Sequence, residues 1–356
     1  MRFTPALRAL GAAVLAAAGL TVVPGTAHAA TFVPCSTSAL ITAITNANTA
    51  GGDSLALAAN CTYTLAAVNN SASGSPNGLP VITENISITG VNSTIQRSTA
   101  PGTPEFRIFE IDPPDGNLTL TGVTVRNGDV TTSDTAGGGI WLNDGGTLRL
   151  VNSTVTGNKG ADDGAGGIES TDGTITILNS TISNNTGEFG AGLDLNSGSV
   201  ATLSNVRITG NTSANSGGGI WSESTVTLTN TVLSQNTALF GGGLRNSGTA
   251  TLTNVTLDHN TATDSGSAGA GIYTGGFLTA TNTRITDNTA TDPDSQGGGI
   301  YNAGSTTLRT TTITRNSAGD GGGIYNDSTV NLVGSSVTAN TPNNCAPTGS
   351  VPGCIG

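Results

Sequence analysis

A repeat of 24 to 28 residues dominates the sequence from Gly137 onward. Each of its eight copies opens on Gly-Gly or Ala-Gly followed by Ile or Leu, and closes on an aliphatic residue, two variable residues and an Asn. The closing residues are Asn158, Asn185, Asn211, Asn236, Asn260, Asn288, Asn316 and Asn340. A period of this length is typical of a solenoid, in which one repeat cannot bury its apolar face alone and must stack on its neighbours.

Within each copy, apolar residues alternate with polar ones. Leu148 and Leu150, for example, flank Arg149, and a second apolar centre follows at Val155. A third apolar position, Ile140 in this copy, follows the Gly pair. Alternation with period two indicates strands with one buried face. Three short strands per copy and no helical stretch predict an all-β parallel β-helix, with roughly eleven coils stacked at strand spacing once the irregular early coils are included.

The corners between strands are also visible in the sequence. An Asn stands six residues before most of the closing residues. Asn suits a tight corner there, because it tolerates left-handed backbone and bonds to its own neighbouring backbone. These corner residues are Asn152, Asn179, Asn205, Asn230, Asn254 and Asn282, with Thr310 and Gly334 in the last two copies.

The sequence divides into five parts. Residues 1–29 have the pattern of a secretory signal, with Arg2 and Arg8 ahead of an apolar run and a small-residue cleavage site. Residues 30–50 have helical apolar spacing after Ser36 and predict an N-terminal capping helix. Irregular first coils follow over 51–136, regular repeats over 137–340, and a C-terminal cap over 341–356.

Four cysteines lie at the two ends of the chain. An even number in a secreted chain favours disulfides, and the ends of a solenoid need covalent support most. We therefore expect the pairs Cys35–Cys61 and Cys345–Cys354. A metal site is disfavoured because the spacing does not fit one and no His lies nearby.

The formal net charge is −11, and it becomes −13 without Arg2 and Arg8. An acidic, Lys-poor chain disfavours nucleic acid and anionic membranes as partners. After the signal no apolar run is long enough to span a membrane. We expect a secreted monomer that is extracellular or associated with a cell surface.

The Gly-Gly-x-Ile/Leu openings and the aliphatic-x-x-Asn closings resemble the GG[AI] and FxxN repeats of polymorphic outer-membrane proteins, over about residues 86–340. The whole chain resembles secreted right-handed β-helix repeat proteins of high-GC Gram-positive bacteria. The resemblance implies a right-handed, extracellular β-helix, with surface attachment or contact with polysaccharide.

Parallel β-helices include pectate lyases and polygalacturonases, but fold alone does not give that function. The only adjacent acidic pair, Asp162-Asp163, lies in a Gly-rich corner, and His259 occupies a variable position. Arg207 and Arg284 are expected to face solvent. No catalytic residue is predicted, so a non-catalytic binding, adhesion-type or structural protein is favoured over the alternative, a polysaccharide lyase or glycoside hydrolase.

Threonine pairs form a possible second kind of surface. Outward Thr-x-Thr pairs such as Thr154 and Thr156 occur in regular arrays in ice-binding β-helices. Here Arg207, Val232 and Arg284 interrupt the array, which favours an ordinary solvated sheet face.

The loops after the closing Asn vary in length and are longest in two successive coils. Adjacent coils would bring together the acidic residues of these loops, Asp264, Asp292, Asp294 and Asp320. Flexible, oxygen-rich loops suit Ca²⁺, so a weak Ca²⁺ site is one prediction. An acidic solvated ridge without metal is the favoured alternative, and no other cofactor is expected.

Overall fold

The computed structural model describes residues 29–131, 137–161, 164–266 and 268–355. These residues form a right-handed, all-β parallel solenoid of about 11 turns. The predicted fold class is therefore confirmed. The predicted signal, apart from Ala29, and the Asp162-Asp163 pair lie outside the described residues.

Two sides of the solenoid belong to one continuous sheet of 21 strands. Two long strands, Asn85–Arg97 and Asn117–Arg126, run through the corner and join the two sides. The first side contains the strands Asp53–Leu57, Thr147–Val151, Thr174–Leu178, Val200–Ser204, Thr225–Thr229, Thr249–Thr253, Phe277–Thr281, Ser305–Arg309 and Thr329–Val333. The second side contains Thr62–Leu65, Thr154–Thr156, Thr181–Ser183, Arg207–Thr209, Val232–Ser234, Thr256–Asp258, Arg284–Thr286, Thr312–Thr314 and Ser336–Thr338.

The third side is a sheet of ten short parallel strands, most of which follow the Gly pairs. Its strands are Phe109–Ile111, Ile140–Leu142, Ile168–Ser170, Leu193–Leu195, Ile220–Ser222, Leu244–Asn246, Ile272–Thr274, Ile300–Asn302, Ile324–Asn326 and Cys345–Ala346. Pairing is in register throughout, as between Ile220 and Leu244.

A fourth, shorter sheet was not predicted. The sequence pattern places loops directly after the closing Asn residues, but in five coils the first residues there stay extended and pair from coil to coil, as Ala238 does with Ala262. These strands are Thr186–Phe189, Thr212–Ser216, Thr237–Ala238, Thr261–Ala262 and Thr289–Ala290. The variable part of each loop is therefore shorter than the sequence suggests.

The core is made of aliphatic columns that run along the stack. On the first side Leu203, Leu228 and Leu252 lie in register in successive coils, and all three are fully buried. Each buried side chain of this size contributes roughly 1.5–3 kcal/mol relative to exposure. The columns, rather than any single coil, therefore stabilise the solenoid.

The N-terminal end is covered by a helix, Thr37–Ala50, which buries Leu40 and Ile44 against the first coils. Its N-cap is Ser36, although the Ser36 side chain makes no capping hydrogen bond. The short strand Thr31–Val33 pairs with Asp53–Leu57 beside it. A single-turn 3₁₀ helix, Ala72–Gly74, interrupts the early coils.

Both predicted disulfides are present. Cys35 is bonded to Cys61 beside the capping helix, and Cys345 is bonded to Cys354 in the C-terminal tail. The predicted corner residues also have the expected left-handed backbone, with φ between 46° and 62° in all eight copies, including Thr310 and Gly334.

Candidate functional site

The outward face of the first side carries regular columns of threonine. The middle residue of the five-residue strand is a Thr in six successive coils, and these residues lie in register along the stack. They are Thr176, Thr202, Thr227, Thr251, Thr279 and Thr307. We call the outward residues of the six strands from Thr174–Leu178 to Ser305–Arg309 the threonine face.

The threonine face is almost free of charge. Arg309, at its last corner, is the only charged residue among its outward positions. The chain as a whole carries a net charge of −11, so acidic side chains are concentrated elsewhere. Each Thr offers a methyl group and a hydroxyl that can both donate and accept hydrogen bonds. Adjacent coils repeat this pattern about every 4.8 Å.

One aromatic ring stands out from this face. Phe277 begins its strand between Thr249 and Ser305 of the neighbouring coils and is 66% exposed. Val200, in the same column, is 45% exposed. Two coils lie between Val200 and Phe277, so each is a single exposed apolar side chain on an otherwise polar, uncharged face.

The Thr-x-Thr pairs of the second side give a less regular array, as predicted. Arg207 and Arg284 are exposed there and interrupt the columns. The more regular array lies on the first side, between the inward apolar residues that predict its strands. The signal was present in triplets such as Val226-Thr227-Leu228, where an outward Thr lies between two core residues.

The third side has an outer row of a different character. The middle residue of each short strand points away from the core, and these residues form one in-register column that contains acidic, basic and aromatic side chains. The outer row is Glu110, Trp141, Glu169, Asp194, Trp221, Arg245, Tyr273, Tyr301 and Tyr325. The sequence patterns did not reveal it, because the residue after the Gly pair and its Ile or Leu differs in most of the coils.

The N-terminal part of the outer row is buried. Arg107 and Glu110 are fully buried, and the Arg107 guanidinium lies 4.3 Å from the centre of the Trp141 ring. Burial lowers the pKa of Arg107 to about 10, against the raising effect of Glu110. Burial also raises the pKa of Glu110, although a hydrogen bond from Asn77 opposes this.

Glu169 and Asp194 are direct neighbours in the sheet. One Glu169 oxygen accepts the backbone N–H groups of Gly137 and Ala165, both at 3.0 Å. Burial raises the pKa of Glu169 to about 7, although those two hydrogen bonds lower it. Burial and the nearby Glu169 and Glu223 carboxylates raise the pKa of Asp194 well above its usual value.

Asp194 is fully buried, and neither of its carboxylate oxygens has a hydrogen-bond partner within the described residues. Glu169 is only 4% exposed. A polymeric substrate cannot reach either carboxylate with the surrounding turns in this arrangement.

The C-terminal part of the outer row is a stack of rings. The rings of Tyr273 and Tyr301 are 5.0 Å apart, and those of Tyr301 and Tyr325 are 5.6 Å apart and nearly parallel. The Arg245 guanidinium lies 4.3 Å from the Tyr273 ring. Because the rings stack on one another along the coil axis, most of their faces are already occupied.

The acidic residues of the predicted Ca²⁺ site bond to their own loops. Their side chains accept hydrogen bonds from nearby backbone N–H groups: Asp264 from Gly266, Asp292 from Asp294, and Asp320 from Gly321. In the described part of the chain no group of three or more His, Cys, Asp or Glu side chains could hold a metal ion. The Ca²⁺ site stays a prediction.

His259 is exposed and lies 3.0 Å from Asp258. Its backbone is left-handed, with φ 55°, at the position before a closing Asn. The residue therefore belongs to a solvent-exposed corner of the coil and not to the outer row.

Two family models match the chain. The model of the right handed beta helix region matches residues 110–285, and the Chlamydia polymorphic membrane protein repeat matches residues 310–327. Neither the curated proteins nor the solved structures gave a match. Both matches are typical of surface-type repeat proteins, and the disulfides agree with an extracellular setting.

The helices of the described residues do not include one that could cross a membrane.

Proposed function

We propose that this chain, a right-handed β-helix protein with repeats of the polymorphic-membrane-protein type, is a secreted, non-catalytic binding protein that holds a neutral polysaccharide on its threonine face. The observation that carries the proposal is the position of Phe277, which is 66% exposed among in-register threonines on a face that is nearly free of charge.

The chemistry of this face suits a sugar polymer. The C–H face of a pyranose ring can lie on an exposed aromatic ring such as Phe277, and the surrounding Thr hydroxyls can donate to and accept from sugar hydroxyls. A pattern repeated coil after coil offers many weak contacts to one long chain, which together give a useful affinity. A flat face is less suited to a small molecule, which needs a concave site.

The charge balance favours a neutral polymer. The threonine face offers one cation, Arg309, at its corner, and the chain is acidic overall. An acidic polysaccharide would be repelled by the surrounding negative potential. Neutral polymers avoid that cost.

The same face supports a binding role rather than catalysis. Glycoside hydrolysis needs two carboxyl groups beside the scissile bond. The outward positions of the threonine face contain no carboxylate, and Glu169 and Asp194 are buried on another side.

Pull-down of the purified protein with insoluble neutral polysaccharides, together with a glycan array, tests the proposal. Phe277→Ala and Thr251→Lys should each weaken binding at least about tenfold, since each removes a central contact. Phe32→Ala is the matched control, because Phe32 is 65% exposed on the strand Thr31–Val33 at the N-terminal end, several coils away from the six strands of the threonine face. Full binding by both threonine-face variants would overturn the proposal.

Lyase and hydrolase assays on the same polymers test the alternative function. Release of soluble product by the wild-type protein would contradict a non-catalytic role. Retained binding without product would support it.

A further inference from the structure

The last coil of the solenoid ends in two open strand edges. Thr329–Val333 pairs with Ser305–Arg309, and Ser336–Thr338 pairs with Thr312–Thr314. Among the described strands, none pairs with the other edge of either one. Every earlier coil from Thr147–Val151 onward is paired on both sides.

Backbone groups on this edge point out of the stack. Thr329 donates its N–H to Gly304, and Val333 accepts from Thr310, so both residues bond back to the preceding coil. Because peptide groups alternate along a strand, those of Val330 and Leu332 face the open end. In an interior coil, the equivalent peptide groups point toward the next coil and bond to it.

The end of the core is also less covered here. Leu308 is fully buried, whereas Leu332, its in-register neighbour in the last coil, is partly exposed. Val333 is 39% exposed. The C-terminal tail adds the strand Cys345–Ala346 to the third side and packs Val351 against the core, but the outer edges of the last strands on the first and second sides stay unpaired among the described strands.

The longer strand of this edge, Thr329–Val333, lacks the charges, Pro and bulges that usually protect an edge against pairing. Natural edge strands carry Lys, Pro, bulges or inward charges that prevent contact with another sheet. No residue between Ser328 and Ile355 is charged, and the strand Thr329–Val333 contains no Pro and pairs without a register shift.

The opposite end of the solenoid is a poorer partner for this edge. The helix Thr37–Ala50 packs on the core there. The strand Thr31–Val33 beside it is paired on one side only among the described strands, but it has just three residues. The same edge of a second copy offers five residues, so it pairs more backbone groups than head-to-tail stacking would.

We propose that two copies of the chain join through their last coils, with the strand Thr329–Val333 of one copy antiparallel to the same strand of the other. Two-fold symmetry makes this contact self-complementary and closed, so it gives dimers and not filaments. The exposed backbone groups of Val330 and Leu332 would then be paired and Leu332 covered. This proposal differs from the monomer expected from the sequence, because the repeat pattern alone does not show which coil is left open.

Sedimentation equilibrium of residues 30–356 at micromolar concentrations tests the inference. The wild-type protein should have twice the mass of one chain. Asn331→Lys/Val333→Lys places like charges across the two-fold axis and should weaken self-association at least about tenfold.

The matched control is Thr251→Lys/Thr253→Lys, which adds the same charges at the same strand positions three coils earlier. This control should remain dimeric. A monomeric wild-type protein, a filament, or a dimer lost in the control but kept in the edge variant would each overturn the proposal. Amide hydrogen exchange gives a second readout, since the amides of Val330 and Leu332 should be protected in the dimer and exposed in the edge variant.

Discussion

Asn185 and Asn211, the closing residues of successive repeats, are joined by two hydrogen bonds to one oxygen. The backbone N–H and the side-chain Nδ2 of Asn185 both donate to Oδ1 of Asn211, each at 3.0 Å. The Asn211 Nδ2 in turn donates to the carbonyl of Ile182 in the preceding coil. The same arrangement continues along all eight closing Asn residues and ends on Asn344.

This ladder should make a closing Asn far more important than a corner Asn. Asn211 is fully buried, and Asn211→Gly leaves two donors of Asn185 and the Ile182 carbonyl without their partners. We expect a loss of about 2–4 kcal/mol in the free energy of unfolding. The matched change Asn205→Gly, at an exposed left-handed corner, should cost less than about 1 kcal/mol. Denaturant unfolding of both variants measures the difference, and equal losses would contradict the ladder's role.

The residue before each closing Asn has a left-handed backbone, whatever its identity. Gln235, His259, Asp287, Arg315 and Ala339 all have φ near 56°. Side chains with a Cβ are strained in this region by roughly 1 kcal/mol.

Gln235→Gly should therefore stabilise the protein by up to about 1 kcal/mol, since Gly relieves this strain. Gln235→Ala keeps the Cβ and should leave stability nearly unchanged. Thermal or denaturant unfolding compares the two, and a destabilising Gln235→Gly would show that the corner is not strained. Arg315→Gly should gain less, because it also removes the ion pair of Arg315 with Asp287 at 2.6 Å.

The sequence was sufficient for the parts of the structure that repeat. Alternation around Leu148 and Leu150 predicted a strand, and the corner Asn residues predicted left-handed turns. Both kinds of signal are local, so they depend on the few residues around each position. The disulfides followed from the presence of four cysteines at two ends.

The candidate surfaces could not be predicted in the same way, because they depend on which residues become neighbours after stacking. Thr227 has no special pattern within its own coil, and its column with Thr202 and Thr251 exists only once the register is known. Asp194 follows Ala191-Gly192-Leu193 as an outward residue, so it would be expected to face solvent. Instead it is fully buried beside Glu169 in the assembled coils.

The predicted Ca²⁺ site can be tested directly. Asp292 and Asp294 lie in one of the two longest loops, and oxygen-rich flexible loops bind Ca²⁺ weakly, with dissociation constants of about 10⁻⁴–10⁻³ M. Calorimetry with millimolar Ca²⁺ decides between the site and the favoured ridge, because a Ca²⁺ site would give the wild type a binding heat that is absent in Asp292→Ala/Asp294→Ala. Equal heats in both proteins, or none in either, would leave an acidic ridge without metal.

The pair Glu169 and Asp194 should make the protein less stable as the pH rises. Burial raises the pKa of both carboxyl groups, that of Glu169 from 4.5 to about 7. The folded state therefore holds these protons more tightly than the unfolded chain does. The stability from Glu169 is fully present below pH 4.5 and is lost as the pH approaches 7, by up to about 1.4 kcal/mol per pH unit.

Glu169→Gln isolates this effect from the titration of other carboxylates. The Gln oxygen can still accept the N–H groups of Gly137 and Ala165, and the side chain resembles the protonated acid. The variant should match the wild type at pH 4 and be more stable than it at pH 8, as measured by denaturant unfolding across this range. Asp144→Asn, which removes an exposed carboxylate, is the control and should give a nearly constant difference. A Glu169→Gln difference that does not grow with pH would show that burial does not raise the pKa of Glu169 above its value in the unfolded chain.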